Sequence, residues 1–254
     1  MLNVVCINAN NYEERGVEYV KILNDMVRRN LPAGYPGKFT VFTDTPGDYG
    51  PEIEVRPLPY PGLEGWWNKL ALFGPGVFQD DDRILYLDLD TVLTGRLDAV
   101  ANYQGEFAIL GDFYRPNGLQ SSVMGWRVSK KSKAIWLDWF SAGMPKVLGG
   151  DQVWIEQCKL NPDIWQKVAP DAFVSYKLTA GVSPDKACVV VFHGNPRPHQ
   201  VVTGWVPMVW KLNGMTRAEL DAVCNTAKEK VHDNIRSACD RALPWFAFDW
   251  KAHD

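Results

Sequence analysis

A chain of 254 residues, 46% apolar and 22% charged, can bury one large core, and its net charge of −3 offers no basic face to nucleic acid. Its five cysteines, Cys6, Cys158, Cys188, Cys224 and Cys239, form no C-x-x-C pair, which excludes a zinc ribbon or dithiol redox motif and fits a reducing, cytoplasmic setting. No run of about 20 apolar residues exists to span a bilayer.

The opening Met-Leu-Asn-Val-Val lacks a basic, then long apolar, leader pattern, and Val4 to Ile7 reads as a strand. Asn8-Ala9-Asn10-Asn11-Tyr12 follows it directly. In such a position Asn8 and Asn11 offer hydrogen bonds to a base edge or ribose, and Tyr12 offers a ring face to a base. The same composition also makes a plain turn. Apolar residues at Val17, Val20, Ile22, Leu23, Met26 and Val27 predict an amphipathic helix over 13–29. Strands are expected over 39–43 and 53–58, and a short helix over 66–73. Lys69 near its start opposes the helix dipole, which makes sense if an anion binds there; a solvated surface lysine is the competing reading.

Ile84-Leu85-Tyr86-Leu87 is an apolar run of the kind that fills a strand buried on both faces. It ends in Asp88 and Asp90. In an extended segment these two carboxylates share a side, where they can converge on Mg²⁺ or Mn²⁺ and through it on phosphate. An isolated Asp-x-Asp is otherwise an ordinary solvated turn. Further strands are expected over 107–110, 122–128 and 187–192, and helices over 130–140 and 151–158. Gly149-Gly150-Asp151-Gln152 starts the latter helix, with Asp151 read by default as a cap. After the strand at 187–192 come His193, a possible metal ligand, Gly194, which lets backbone approach a phosphate, and Arg197, which can neutralise one. Residues 216–243 read as helical, opened by a Thr216/Glu219 capping box. The β-α-β-β-α-β order predicts an α/β fold with a mostly parallel, doubly wound sheet. There is no G-x-G-x-x-G and no P-loop, so neither a nicotinamide dinucleotide nor P-loop chemistry is indicated.

Taken together these motifs resemble the GT-A glycosyltransferases, and most closely glycosyltransferase family 8, the family of glycogenin and bacterial galactosyltransferases. Leu85-Tyr86-Leu87-Asp88-Leu89-Asp90-Thr91-Val92-Leu93 is similar to the family's strand and Asp-x-Asp. Trp67-Asn68-Lys69-Leu70-Ala71-Leu72-Phe73 is similar to the basic residue and helix before it, and Gly150-Asp151-Gln152 to its Gly-Asp-Gln. His193-Gly194-Asn195-Pro196-Arg197-Pro198 is a compressed form of its His-x-x-Gly-x-x-Lys-Pro-Trp, with arginine in place of lysine and no tryptophan. Leu119-Gln120-Ser121-Ser122-Val123-Met124 departs from the usual Phe-Asn-Ser-Gly-Val. The resemblance implies a GT-A domain over 1–205; the tail lies outside it, and its own pattern predicts a helical extension over 206–254 packed on or near that domain. The resemblance also implies Mn²⁺ (or Mg²⁺) on Asp88, Asp90 and His193, with Lys69 and Arg197 on the diphosphate of a UDP-sugar donor and Tyr12 on its base. Asp151 and Gln152 would face the anomeric carbon, and Asp112 the donor sugar or an acceptor hydroxyl. The acceptor, a saccharide, protein or other glycan, stays open. Two other readings compete: a haloacid dehalogenase-like phosphatase with Asp88 as nucleophile, and a non-catalytic carbohydrate-binding protein, for which the 11 Trp speak.

Overall fold

The computed structural model describes residues 2–32, 37–179, 181 and 186–211. In chain order the elements are β1 (Leu2–Asn8), α1 (Gly16–Asn30), β2 (Gly37–Thr43), β3 (Ile53–Pro57), α2 (Asn68–Ala71), β4 (Arg83–Leu87), β5 (Thr91–Leu93), α3 (Asp98–Ala101), β6 (Phe107–Gly111) and β7 (Leu119–Arg127). They continue with α4 (Lys130–Ser141), α5 (Asp151–Gln157), β8 (Asp163–Ile164), α6 (Trp165–Val168), β9 (Phe173–Ser175), β10 (Val189–Val191) and α7 (Trp205–Lys211). Seven strands form one sheet in the order β3-β2-β1-β4-β7-β6-β8. It is parallel except where β7 lies antiparallel between β4 and β6. Fold class and mostly parallel sheet are therefore as the sequence predicts.

Period-two alternation decides how the sheet is covered. Val4, Cys6, Leu85 and Leu87 pack on one face with Tyr19, Val20, Leu23 and Met26 of α1. Val5, Ile84 and Tyr86 point to the other face, against Leu70, Ile135, Trp136 and Trp139 from α2 and α4. A strand buried on both sides needs a continuous run of apolar side chains, which Ile84–Leu87 of β4 supply after the half-buried Arg83.

The predicted helix over 13–29 starts later than expected. Asn10, Asn11, Glu13 and Glu14 all take positive φ, which a right-handed α-helix does not tolerate, so Tyr12–Glu14 is only a short turn closed by Glu14 N on the Asn11 carbonyl and Arg15 N on that of Tyr12, and α1 begins at Gly16. A Cβ at Gly16 would lie 2.0 Å from Asn8 Oδ1, so this close approach requires glycine. The predicted helix over 66–73 is likewise shorter, a 3-10 turn over Gly65–Trp67 followed by α2.

A small second sheet, β5-β10-β9, was not anticipated. Its strands have three residues each, too few to show a period. It nevertheless positions the site: Val191 pairs with Thr91, so the chain leaving β10 emerges beside Asp90. Trp205, Val206, Val209 and Trp210 of α7 are buried in the first core, with Trp210 4.6 Å from the Tyr19 ring. The Thr216/Glu219 capping box and the rest of the expected extension lie outside the described residues. Among the described residues no helix is long and apolar enough to cross a membrane.

Candidate active site

Beyond β4 the chain does not stay extended. Thr91 N donates to the Asp88 carbonyl (3.1 Å), closing a turn over Asp88–Thr91, while Leu89 is buried in the core. The strand-parity argument for the two carboxylates is thus replaced by a turn, yet Asp90 remains close enough to feel the charge of Asp88.

Each carboxylate holds a cation from a different motif. Lys69 Nζ lies 2.8 Å and 3.0 Å from the two Asp88 oxygens, and 3.2 Å from Ser121 Oγ. At 8% exposure it is no solvated lysine. Burial pulls its pKa down, but the charges of Asp88 and Asp151 outweigh that and hold it above the ordinary lysine range. Tyr86 donates to Asp88 Oδ1 at 2.7 Å, and its ring lies 5.4 Å from the Lys69 ammonium. Arg197 Nη1 donates to Asp90 Oδ2 at 2.5 Å and its Nε to Glu13 Oε1 at 3.0 Å. Tyr12 donates to the same Asp90 oxygen at 3.0 Å. The guanidinium carbon stands 5.3 Å from the Tyr12 ring centroid, so a cation already covers that ring. Burial and the Asp88 charge push Asp90 up to about 7, against the pull of Arg197 and Tyr12.

Asp151 is more than a cap. Gly150, at φ 80, occupies the N-cap position, and Asp151 is the first helical residue, 3% exposed. Burial raises its pKa while Lys69 and a hydrogen bond with Ser121 oppose the rise. Its Oδ2 has no hydrogen-bond partner among the described residues. Gln152 follows in the same first turn, half-buried.

His193 stands apart from the carboxylate pair. Its Nε2 lies 2.6 Å from Ser175 Oγ, its ring stacks on Phe113 (5.8 Å, 10°), and Tyr114 meets it edge-on (5.3 Å, 78°). Burial and the Lys177 charge hold the imidazole below its ordinary range, with Asp112 pulling the other way. Asp112 is occupied locally. It accepts from Tyr114 N (2.8 Å), Arg115 N (3.1 Å) and Arg115 Nε (2.7 Å), and these bonds overcome its burial and keep its carboxyl acidic. Gly194 takes φ 87 next to Lys177, whose Nζ donates to the His193 carbonyl at 2.7 Å.

The asparagines serve the loop itself. Asn8 is fully buried, donating to Tyr49 OH (2.9 Å) and accepting from Tyr12 N (3.0 Å), so it orients Tyr12. Asn11 Oδ1 accepts from Gly16 N at 3.1 Å.

Glu156 of α5 clasps the loop after β6. Its Oε1 accepts from Leu119 N and Arg115 Nη2, both at 2.7 Å. Glu156→Ala would strand that backbone donor and is expected to cost about 1–2 kcal/mol. Urea unfolding checks the cost, and hydrogen exchange should quicken over 113–118; unchanged exchange there would show the loop holds without Glu156.

Tyr86, Ser121, Ser175 and Phe113 belong to the site and were not singled out from sequence. Only Tyr86 carried a usable signal, two residues before Asp88 on the strand.

Oxygen donors from two close carboxylates fit a hard divalent ion, which typically takes one or two protein carboxylates and completes its shell with substrate phosphate and water. No group of three His, Cys, Asp or Glu side chains gathers in metal-binding geometry among the described residues, so His193 is not brought to Asp88 and Asp90.

No protein-family profile matches the sequence, and no curated protein matches it. Solved structures do. The glycosyltransferase GlyE of Streptococcus pneumoniae TIGR4 superposes with a TM-score of 0.62 at 14% identity, over 91% of this chain and 66% of GlyE. The galactosyltransferase LgtC, solved with donor and acceptor sugar analogs, gives 0.62 at 14% identity, over 87% of this chain and 99% of its own. The bifunctional glycosyltransferase WbbM gives 0.63 at 12% identity, over 88% of this chain and 51% of WbbM. The chain spans about two thirds of GlyE and half of WbbM. It has the GT-A fold of these glycosyltransferases.

Proposed function

We propose that the protein is a glycosyltransferase that moves a hexose from a UDP-sugar to an acceptor hydroxyl, with Mn²⁺ or Mg²⁺ held by Asp88 and Asp90. One observation carries this reading. Two carboxylates and two cations from separate motifs meet at the carboxyl ends of β4 and β10, with Lys69 on Asp88 and Arg197 on Asp90. Open α/β sheets bind ligands at such strand ends.

A divalent ion, when bound, supplies positive charge to the diphosphate. Lys69 and Arg197 supply two more charges from the chain, so negative charge building on the departing nucleoside diphosphate meets preorganised cations. Arg197 would exchange one Asp90 oxygen for a phosphate oxygen and keep Glu13 as its anchor. Tyr12, oriented by Asn8 and by the Asn11 turn, would take the base. Asp151 and Gln152 would hold hydroxyls of the transferred sugar. Gly194 would give backbone access to phosphate, and Asp112 would set the loop at the acceptor side. His193, whose Nε2 bonds Ser175, would join the metal through its other ring nitrogen, Nδ1.

The phosphatase reading asks Asp88 to act as a nucleophile. Lys69 and Tyr86 engage both of its oxygens, and its strand is the fourth rather than the first of the fold, which weighs against that role.

Thermal-shift titration with UDP, GDP and several UDP-sugars, each with and without Mn²⁺, tests the proposal. Uridine nucleotide plus metal at 100 times its Kd should add about 2.7 kcal/mol of apparent stability. No shift with any nucleotide, together with hydrolysis of a phosphomonoester, would overturn it in favour of the phosphatase.

A further inference from the structure

We infer that the acceptor is a saccharide and that Trp66 is the ring on which its sugar stacks, an inference that rests on the glycosyltransferase reading above. Trp66 and Trp67 are neighbours with opposite fates. Trp67 is buried and stacks flat on Trp139 (5.4 Å, 5°), whose Nε1 donates to the Pro145 carbonyl at 3.0 Å. Asn68 Nδ2 donates to the carbonyls of Leu63 (3.2 Å) and Gly65 (3.0 Å). A Glu64–Lys146 ion pair at 2.8 Å ties the same two segments. With its neighbours fixed in this way, Trp66 is left at the surface, 59% exposed, its indole making no hydrogen bond or ring contact among the described residues.

A single exposed apolar residue is ordinary. This one has a built seat. Its indole lies over Gly150, where a Cβ would come within 2.6 Å of Nε1, and both Gly149 and Gly150 take positive φ. The ring thus borders Gly150, which has no side chain, and the next residue is Asp151, buried with an unpartnered carboxylate oxygen. An exposed flat aromatic next to the residue read above as holding the transferred sugar suits an acceptor pyranose, whose C–H face covers the ring while its hydroxyls stay free for the transfer. Depth distinguishes the two sugars: Lys69, Asp90 and Asp151 are buried and suit the donor, while the open Trp66 at the rim suits the acceptor.

The test uses the full chain with isotope-labelled indole nitrogens, UDP and Mn²⁺, titrated with lactose, maltose, cellobiose and chitobiose. Trp66→Phe identifies the Trp66 signal, which should move with at least one of these sugars. With UDP-glucose or UDP-galactose as donor, Trp66→Ala should raise the acceptor KM about tenfold, and Trp66→Phe no more than about threefold. An unmoved signal alongside a normal UDP response, or an unchanged acceptor KM in Trp66→Ala, overturns this inference alone. A rise in donor KM instead assigns the ring to the donor and also overturns it. Absence of any UDP response in the unsubstituted protein overturns the parent reading, and this one with it.

Discussion

Asp90→Asn is expected to lower nucleotide-sugar turnover by at least about 10²-fold while the protein stays folded. The amide keeps the shape of the side chain but has no charge to hold a divalent ion, and it breaks the pairing that aims Arg197. Stability should respond in the opposite sense, and with a particular pH dependence. Burial and the neighbouring Asp88 raise the Asp90 pKa from 3.8 to about 7. A raised pKa means that the native state takes up the proton more readily than the unfolded chain. The group's stabilising contribution is therefore full below about pH 4 and lost as the pH climbs through 7. Asparagine has no such dependence. The Tm of the variant minus that of the unsubstituted protein should thus grow between pH 4 and pH 8. Loss of a partner for Arg197 offsets part of the gain, leaving a change of about 1 kcal/mol, or about 2–4 °C. A difference that shrinks over the same range would mean that Arg197 holds Asp90 charged throughout. Full turnover in Asp90→Asn would remove this carboxylate from the site.

The parts of this fold that could be read from sequence are those where one physical demand dominates a long segment. β4 is buried on both faces, so four consecutive apolar residues announce it. The buried positions of α1 recur every three or four residues, so its body is legible although its start is not. The start depends on four residues in left-handed conformation, which asparagine and glutamate do not advertise. β5, β8 and β9 have two or three residues and are held by pairing rather than by their own pattern, whereas β10 lies inside the apolar run expected as a strand over 187–192. Within the site, the motifs point to residue types but not to partners. That Lys69 reaches Asp88 across 19 positions, or Arg197 reaches Asp90 across 107, depends on strand order and register. Asp151 reads as a cap because acids favour helix starts, and only the packing of α5 against β7 reveals it as buried beside Lys69. His193 shows the reverse. Its motif reads as a metal ligand, while the fold gives its Nε2 a serine and its ring an aromatic stack.

Lys69→Met is expected to cost stability and donor affinity together, more than the sequence alone implies. A solvated surface lysine, the competing reading from sequence, would leave little behind when removed. The lysine seen here is 8% exposed, binds both oxygens of Asp88 and faces Asp151. Taking it away strands buried negative charge, a loss of about 3–5 kcal/mol when one partner of a buried pair is deleted. Methionine fills the alkyl volume, so the loss measures charge rather than a cavity. The double variant Lys69→Met/Asp88→Asn separates the two effects. Removing the stranded carboxylate as well should restore much of the stability, because replacing both partners of a buried pair can be nearly neutral. Donor affinity should not return, since both the cation for the diphosphate and one metal-binding carboxylate are gone. Urea midpoints for the single and double variants, set beside UDP titrations with Mn²⁺, read both quantities. A single variant as stable as the unsubstituted protein would make Lys69 a solvated cation after all. A single variant that loses stability but binds UDP with undiminished affinity would leave Lys69 as a structural counterion to Asp88 and take it out of the donor pocket.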